Sequence, residues 1–496
     1  MARYIMAIDQ GTTGSRAMIV NQEGQIVGSE YSEFPQIYPE PGWVEHDPEQ
    51  IWETTFKVMK QALFISGISA KDISGIGITN QRETSVLWDR ATLKPVYNAI
   101  VWQCRRSADI CDKIKADGHE QLFRNKTGLV VDAYFSGTKI KWLFDNVPGI
   151  KDRADKGELA FGTMDTWLIA RLTGGKTHVT DFTNSSRTLL YNIHDQSWDN
   201  ELLKILDIPE SILPQVKPSA GIVGYTDESV FGASVPIAGI AGDQQAALFG
   251  QACFGKGQAK NTYGTGCFML LNVGQDQVNP GQGLILTLAC DVNGQPCYAL
   301  EGSIFIGGAA VQWLRDGLGI IKTAKETQKI AESVDDNGGI YVVPAFAGLG
   351  APHWDMYARG GISGITRSTT RAHIVRATLE GIAFQVKDLV HAFESVTQQK
   401  FSVLRVDGGA TSNQFLMQFQ SDILGISIDR SRYIESTGMG AAFLAGIATE
   451  LWTPGDQITK LRQSERIFTP AIDDSKQKKL YDGWIHAVNR VKTQQD

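Results

Sequence analysis

The 496-residue chain lacks the marks of several large protein classes. Its six cysteines, Cys104, Cys111, Cys253, Cys267, Cys290 and Cys297, include no C-x-x-C pair, and its eight histidines form no H-E-x-x-H. That pattern fits free thiols in a reducing cytoplasm and argues against a disulfide frame or a structural zinc site. No stretch approaches the ~18 apolar residues of a spanning helix. The opening apolar run is broken at Asp9 and is shorter than a signal-peptide core, so neither a leader nor an integral membrane segment is expected. Positive charge is not in excess: Lys+Arg 47 against Asp+Glu 54 leaves −7, which excludes a general binder of nucleic acid or anionic membrane. Low-complexity tracts and long Pro/Ser linkers are missing too, and only the tail from about Asp473 is polar enough to expect partial mobility.

What the chain does have is a globular composition, 42% hydrophobic and 20% charged, and length for two large domains. It also has 51 glycines, about a tenth of the chain against a usual ~7%. Excess glycine means either slack linker or backbone brought close to a ligand.

Hydrophobic patterning places strands at Tyr4–Asp9, Arg16–Val20 and Gln25–Phe34, an antiparallel meander. A helix follows, with Asp47 as N-cap, Pro48 at its first position and Gln50 completing a capping box. Its apolar face is Ile51, Trp52, Phe56, Met59 and Leu63. A strand at Ile73–Thr79 ends at Asn80-Gln81-Arg82-Glu83. The pattern recurs later as Gln258–Tyr263, the turn Gly264-Thr265-Gly266, and Cys267–Val273. An apolar strand ending in an acidic residue occurs twice, as Ile237–Asp243 and as Val403–Gly409. Ile362–Ile365 reads as a short strand and His373–Phe393 as a long helix. The chain therefore reads as two related α/β halves, 1–250 and 251–496, with mixed sheets flanked by helices.

The turn Asp9-Gln10-Gly11-Thr12-Thr13-Gly14-Ser15-Arg16 bears chemistry on its face. Glycine lets successive N–H groups converge on an anion. Thr12, Thr13 and Ser15 add hydroxyls, Arg16 a fixed positive charge, and Asp9 a carboxylate able to hold magnesium through water. It is not a Walker loop, because G-x-x-x-x-G-K-[ST] is missing and a strand follows. An ordinary polar hairpin is the plain alternative, and the further glycine turns at Gly264-Thr265-Gly266 and Asp407-Gly408-Gly409 count against it.

These three segments resemble the two phosphate loops and the adenosine loop of the sugar kinase, Hsp70 and actin ATPase superfamily. Two long stretches, Tyr134–Asn146 and Gly360–Glu380, are similar to the signatures of the FGGY carbohydrate kinases. Ile78–Thr84, Ile100–Arg106, Ala241–Ala247 and Asn261–Phe268 resemble that family's glycerol-phosphorylating branch. The likeness runs from about residue 3 to 490. It implies two actin-like (ribonuclease H-like) domains with an active-site cleft, MgATP and glycerol as substrates, and a homodimer or homotetramer. Arg82, Glu83, Trp102, Tyr134, Gln244 and Phe268 would then meet the polyol. Asp243 would serve as general base and as a second magnesium contact; an Asp here also suits a helix N-cap. Thr265, Gly308, Gln312, Gly409 and Asn413 would receive adenine and ribose.

The resemblance also sets two departures. Some relatives carry a regulatory phosphohistidine, or an arginine that binds an inhibitory sugar bisphosphate, in the loop before Ile237. Here Glu228–Pro236 has no histidine and Ser234 stands at the arginine position, so neither control is expected through this loop. A kinase for a pentose or tetritol, and a non-catalytic nucleotide-switched binding protein, remain the competing readings.

Overall fold

The computed structural model describes residues 3–281 and 283–493. By packing, the chain resolves into two units: residues 1–254, 286–298 and 437–462 form the first, and 255–285, 299–436 and 463–496 the second. The units are therefore discontinuous, where patterning led to two contiguous halves.

In the first unit β1 (Tyr4–Gln10), β2 (Gly14–Val20) and β3 (Ile26–Glu33) form the meander, and α1 (Pro48–Ser66) packs on it. Ile51, Trp52, Thr55, Val58, Met59 and Ala62 are the buried face of α1. The Asp47 side chain accepts from the Glu49 N–H. The expected capping box does not form: Gln50 Oε1 has no partner, and the Asp47 bond alone closes this end of the helix. β4 (Ile73–Asn80), β5 (Ala220–Tyr225) and β6 (Pro236–Gly242) complete a six-stranded sheet in the order β5-β6-β4-β1-β2-β3. β4 is parallel to both β1 and β6. Apolar side chains such as Ile8, Ile19, Met59, Ile78 and Ile240 fill the core against it.

The second sheet holds β7 (Ala259–Tyr263), β8 (Cys267–Gly274), β9 (Ile285–Cys290), β10 (Pro296–Ile304), β11 (Val403–Asp407), β12 (Ser427–Ser431) and β13 (Ser464–Phe468). Its order is β9-β10-β8-β7-β11-β12-β13, with β11 parallel to β7 and to β12. The run β10-β8-β7-β11-β12 repeats the run β3-β2-β1-β4-β6, which is the duplicated α/β arrangement the motifs implied. One expected equivalence shifts. Val403–Asp407 corresponds to β4 and not to β6, because it lies beside the first strand of its meander. Each segment ends at the carboxyl edge of its own sheet in an acidic residue beside glycine, Asp243 after Gly242 and Asp407 before Gly408.

Helix α3 (Arg371–Thr397) is longer than expected and buries Val375, Leu379, Ile382, Val386, Leu389 and Phe393. α4 (Gln414–Leu424) follows β11, and α5 (Ser436–Ala448) is largely apolar. Ile362 falls in a three-residue strand, Gly361–Ser363. The tail from Asp473 is not a loose end: it forms α6 (Asp474–Val491). Trp484 is fully buried there, stacked on Phe384 at 5.3 Å, and its indole N–H donates to Asp388 at 2.9 Å. One buried tryptophan outweighs the polar surface that the composition reported. All six cysteines are buried and, among the described residues, none is in a disulfide; among the same residues no helix is long and apolar enough to cross a membrane.

Candidate active site

In the first unit the carboxyl ends of the parallel strands β1, β4 and β6 form one sheet edge. Register fixes who meets there: Asp9 is level with Thr79, and both Gln10 and Gly242 are level with Asn80. The edge therefore carries Asp9, then Arg82 and Glu83 just beyond β4, then Asp243 at the start of α2 (Asp243–Gly250). Ligands gather at such edges because strand ends leave backbone groups and side chains free to converge.

The turn Gly11–Thr13 closes with the Gly11 N–H donating to Gly14 O at 2.9 Å. A Cβ on Gly14 would stand 2.6 Å from Ser32 O, so the meander closes only with glycine there. Thr12 Oγ1 accepts from the Trp102 indole N–H at 2.9 Å, and Thr13 Oγ1 lies 3.3 Å from Tyr31 Oη. Arg16 pairs in register with Asp9, its guanidinium 5.2 Å from the Tyr31 ring. Ser15 departs from expectation. Strand alternation turns its hydroxyl inward to Thr55 Oγ1 at 2.8 Å, fully buried, so that hydroxyl is not among the turn's outward donors.

Beneath the turn lies a strut that sequence reasoning missed. Gln36 Nε2 donates to Thr12 O at 3.1 Å, and Gln10 Nε2 to Gly11 O at 2.7 Å. His46 joins the layer: Gln81 Nε2 donates to its Nδ1 at 3.3 Å, so Nε2 carries the proton and donates to Gln36 Oε1 at 2.7 Å. Burial lowers the His46 pKa to about 4. His178, also buried, is lowered to about 4. With folded values below the ordinary 6.5, the unfolded chain takes up these protons first as pH falls. Stability present above pH 6.5 should drain away toward pH 4, and His46→Gln should make that fall shallower. Melting temperatures measured from pH 7 to 4 would check this, an unchanged slope in the variant counting against it.

Where a polyol was expected to bind, the Arg82 and Glu83 side chains are 2% and 1% exposed. Arg82 Nε lies 3.1 Å from Asp243 Oδ1, and Nη1 donates to Gln245 Oε1 at 3.2 Å. Gln245, also missed, is held by its own bonds to Thr287 Oγ1 and Leu288 O. Glu83 sits at φ 60°, an uncommon conformation outside glycine, and Arg187 Nε donates to its Oε1 at 2.6 Å. Trp102 meets Tyr134 edge to face, 5.5 Å between centroids, and both rings are half-buried. Asp243 is the first residue of α2 and Gly242 its N-cap; Asp243 Oδ1 accepts the Gln244 N–H at 2.7 Å. A Cβ on Gly242 would come 2.7 Å from Arg82 Cγ. The Gly242 N–H is tied to Thr183 Oγ1, which donates to the buried Asp181, so the base of this strand end is fixed. Gln244 is buried, and Asp243 keeps a side chain 30% exposed. Phe268 belongs to the second unit, half-buried in β8.

The second unit contains a cavity of about 520 Å³ lined by Thr265, Gly308, Gln312, Gly409 and Asn413, together with Arg315. All five residues expected at the nucleoside meet here. Two tight backbone turns shape it. Gly408 has φ 90°, and a Cβ there would lie 2.5 Å from Tyr263 O. The Gly308 N–H donates to Gly264 O at 2.8 Å. Asn413 caps α4 by accepting the Leu416 N–H, while its Nδ2 donates to Thr327 Oγ1 at 3.0 Å. A Cβ on Gly409 would meet nothing within 4 Å, so its exposed backbone opens on the cavity.

Residues 4–250 match the N-terminal domain of the FGGY family of carbohydrate kinases, and residues 259–449 its C-terminal domain. A glycerol kinase of Thermoanaerobacter sp. (strain X514) is 58% identical over 491 residues, 99% of each chain. Glycerol kinase 2 of Thermotoga maritima is 57% identical over 488 residues, 98% of each chain. The crystal structure of Plasmodium falciparum glycerol kinase with ADP is similar with a TM-score of 0.93 at 40% identity, covering 100% of this chain and 99% of that one. With both domains matched and full-length relatives this similar, the chain belongs to the FGGY family of carbohydrate kinases.

Proposed function

We propose that this chain is an ATP:glycerol 3-phosphotransferase producing sn-glycerol 3-phosphate and ADP, in glycerol catabolism and in the cytoplasm. The observation that carries the reading is Arg82 Nε at 3.1 Å from Asp243 Oδ1, which sets a polyol-orienting fork directly against a carboxylate able to take a proton. Arg82 donates to glycerol hydroxyls and Glu83 accepts from them. Tyr134, Gln244 and the rings of Trp102 and Phe268 complete the polyol contacts. Asp243 accepts the 3-hydroxyl proton as the new O–P bond forms and the bond from the γ-phosphorus to the bridging oxygen breaks, releasing ADP.

The turn Gly11–Thr13 and Arg16 hold the phosphates, and the cavity around Gln312 and Asn413 takes the adenosine. Among the described residues no cluster of three acidic or histidine side chains could hold a metal. Mg²⁺ on a nucleotide needs only one or two carboxylates, with water and phosphate oxygens supplying the rest. Asp9 and Asp243, two strands apart on one edge, suit that need, and Mg²⁺ bound there would offset phosphate charge. A homodimer or homotetramer belongs to the same reading, without control through the Glu228–Pro236 loop.

Coupled ADP release should depend on glycerol, with kcat/KM at least tenfold above that for erythritol, ribulose or xylulose. Release of ADP at equal rate without glycerol would favour a nucleotide switch, and preference for a pentulose would overturn the substrate.

A further inference from the structure

Glu83 is a carboxylate with almost no access to water, at the end of a strand, in a backbone conformation that costs energy for a side chain of its size. Such a group persists only when its surroundings over-determine it. Its carbonyl accepts from Ser85 Oγ at 3.1 Å and from Ser136 Oγ at 3.0 Å. Its carboxylate meets Arg187, fully buried, at 2.6 Å. The same guanidinium carbon lies 5.8 Å from the Tyr134 ring and 5.3 Å from the Phe135 ring.

From this geometry we infer that Arg187 is a positioning residue of the polyol subsite, holding Glu83 ionised and Tyr134 in place so that the subsite presents one acceptor beside one donor. The inference rests on the glycerol reading above.

A buried carboxylate without a counter-charge takes up a proton and becomes a donor. Beside Arg82, which only donates, a protonated Glu83 would leave vicinal hydroxyls facing two donors. Ionised by Arg187, Glu83 only accepts, so a hydroxyl can accept from Arg82 while its neighbour donates to Glu83.

The charged groups around Glu83 are consistent with this division. Arg82 Nε is 3.9 Å from Glu83 Oε1 and 3.1 Å from Asp243 Oδ1, so of these two contacts the shorter is with Asp243. Lys139, fully buried and drawn electrostatically toward Glu83, donates to the Tyr134 carbonyl. Without Arg187, Glu83 would lean on the longer contact with Arg82, which Asp243 already engages at closer range.

The test is the glycerol dissociation constant by calorimetry, which needs no turnover, measured from pH 6 to 8.5 beside KM for MgATP. In Arg187→Met, glycerol should bind about 100-fold more weakly at pH 7 and become pH-dependent, while KM for MgATP stays within twofold of the parent value. Arg187→Lys should recover part of the affinity and most of the pH independence. If Arg187→Met does not fold, Glu83→Gln/Arg187→Met removes the stranded charge, and its glycerol affinity should equal that of Glu83→Gln alone. Unchanged glycerol affinity, or weakening that is independent of pH and shared by MgATP, would overturn the inference. A parent chain that binds glycerol without releasing ADP would sink the proposed activity while leaving Arg187 testable; one that binds no glycerol would sink both.

Discussion

Asp243→Asn should lower phosphoryl transfer to glycerol by about 10³-fold, in the range of general acid–base contributions, with glycerol affinity changed only a few-fold. The substitution keeps size and hydrogen-bonding reach but cannot take the hydroxyl proton. Asp243 Oδ1 already accepts the Gln244 N–H and lies 3.1 Å from Arg82 Nε, and an Asn oxygen could keep either contact. Only the charge and the basicity are lost. Arg82 also stays anchored on Gln245, so the polyol fork should hold its place. Single-turnover rates with calorimetric glycerol binding separate the two effects. Retained transfer within tenfold of the parent would remove Asp243 as the base, and lost glycerol binding would make it a polyol contact first.

Gly440→Ala should destabilise the protein by about 2–3 kcal/mol net, against a helix propensity that alone would favour Ala by ~1 kcal/mol. Packing decides the sign. A Cβ on Gly440 of α5 would lie 1.8 Å from Ala246 O in α2, and this neighbour is backbone, which cannot swing aside. The same helix meets β4 where a Cβ on Gly77 would be 2.1 Å from Ala441 O, and β6 where one on Gly239 would be 2.6 Å from Ala445 N. Glycine thus lets α5 sit backbone to backbone on the sheet that carries the candidate site. For a unit of this size the loss corresponds to a fall in melting temperature of roughly 3–5 °C. Calorimetric melting checks it, and a variant as stable as the parent would show that α5 can lift without cost. Because α2 begins with Asp243, transfer should fall with stability.

The glycine excess therefore has two sources, and only one was legible. Turns at Gly11–Gly14 and Gly264–Gly266 stood out because hydroxyl-bearing and charged residues surround them. Gly77, Gly239 and Gly440 carry no such flag, since the contact each allows is with residues far along the chain. The same distinction runs through the site. Asp9, Arg82 and Asp243 could be placed at one edge because each follows an apolar strand. Gln36, His46 and Arg187 lie in segments with no periodic signal, Gln245 sits in a motif whose visible mark is Asp243, and distant partners hold these side chains. Composition misjudged the tail in the opposite direction, because polar spacing along α6 hides a single deeply buried tryptophan.

The packing of α5 also bears on the order in which the protein is made. The first unit starts at the amino terminus, yet it lacks a helix until residues 437–462 leave the ribosome. At elongation rates of roughly 5–20 residues per second the interval from residue 254 is roughly 10–40 s. Through that time the glycine-lined faces of β4 and β6 wait uncovered, so the amino-terminal half finishes folding among the last parts of the chain, and a message truncated after residue 436 would leave it unfinished.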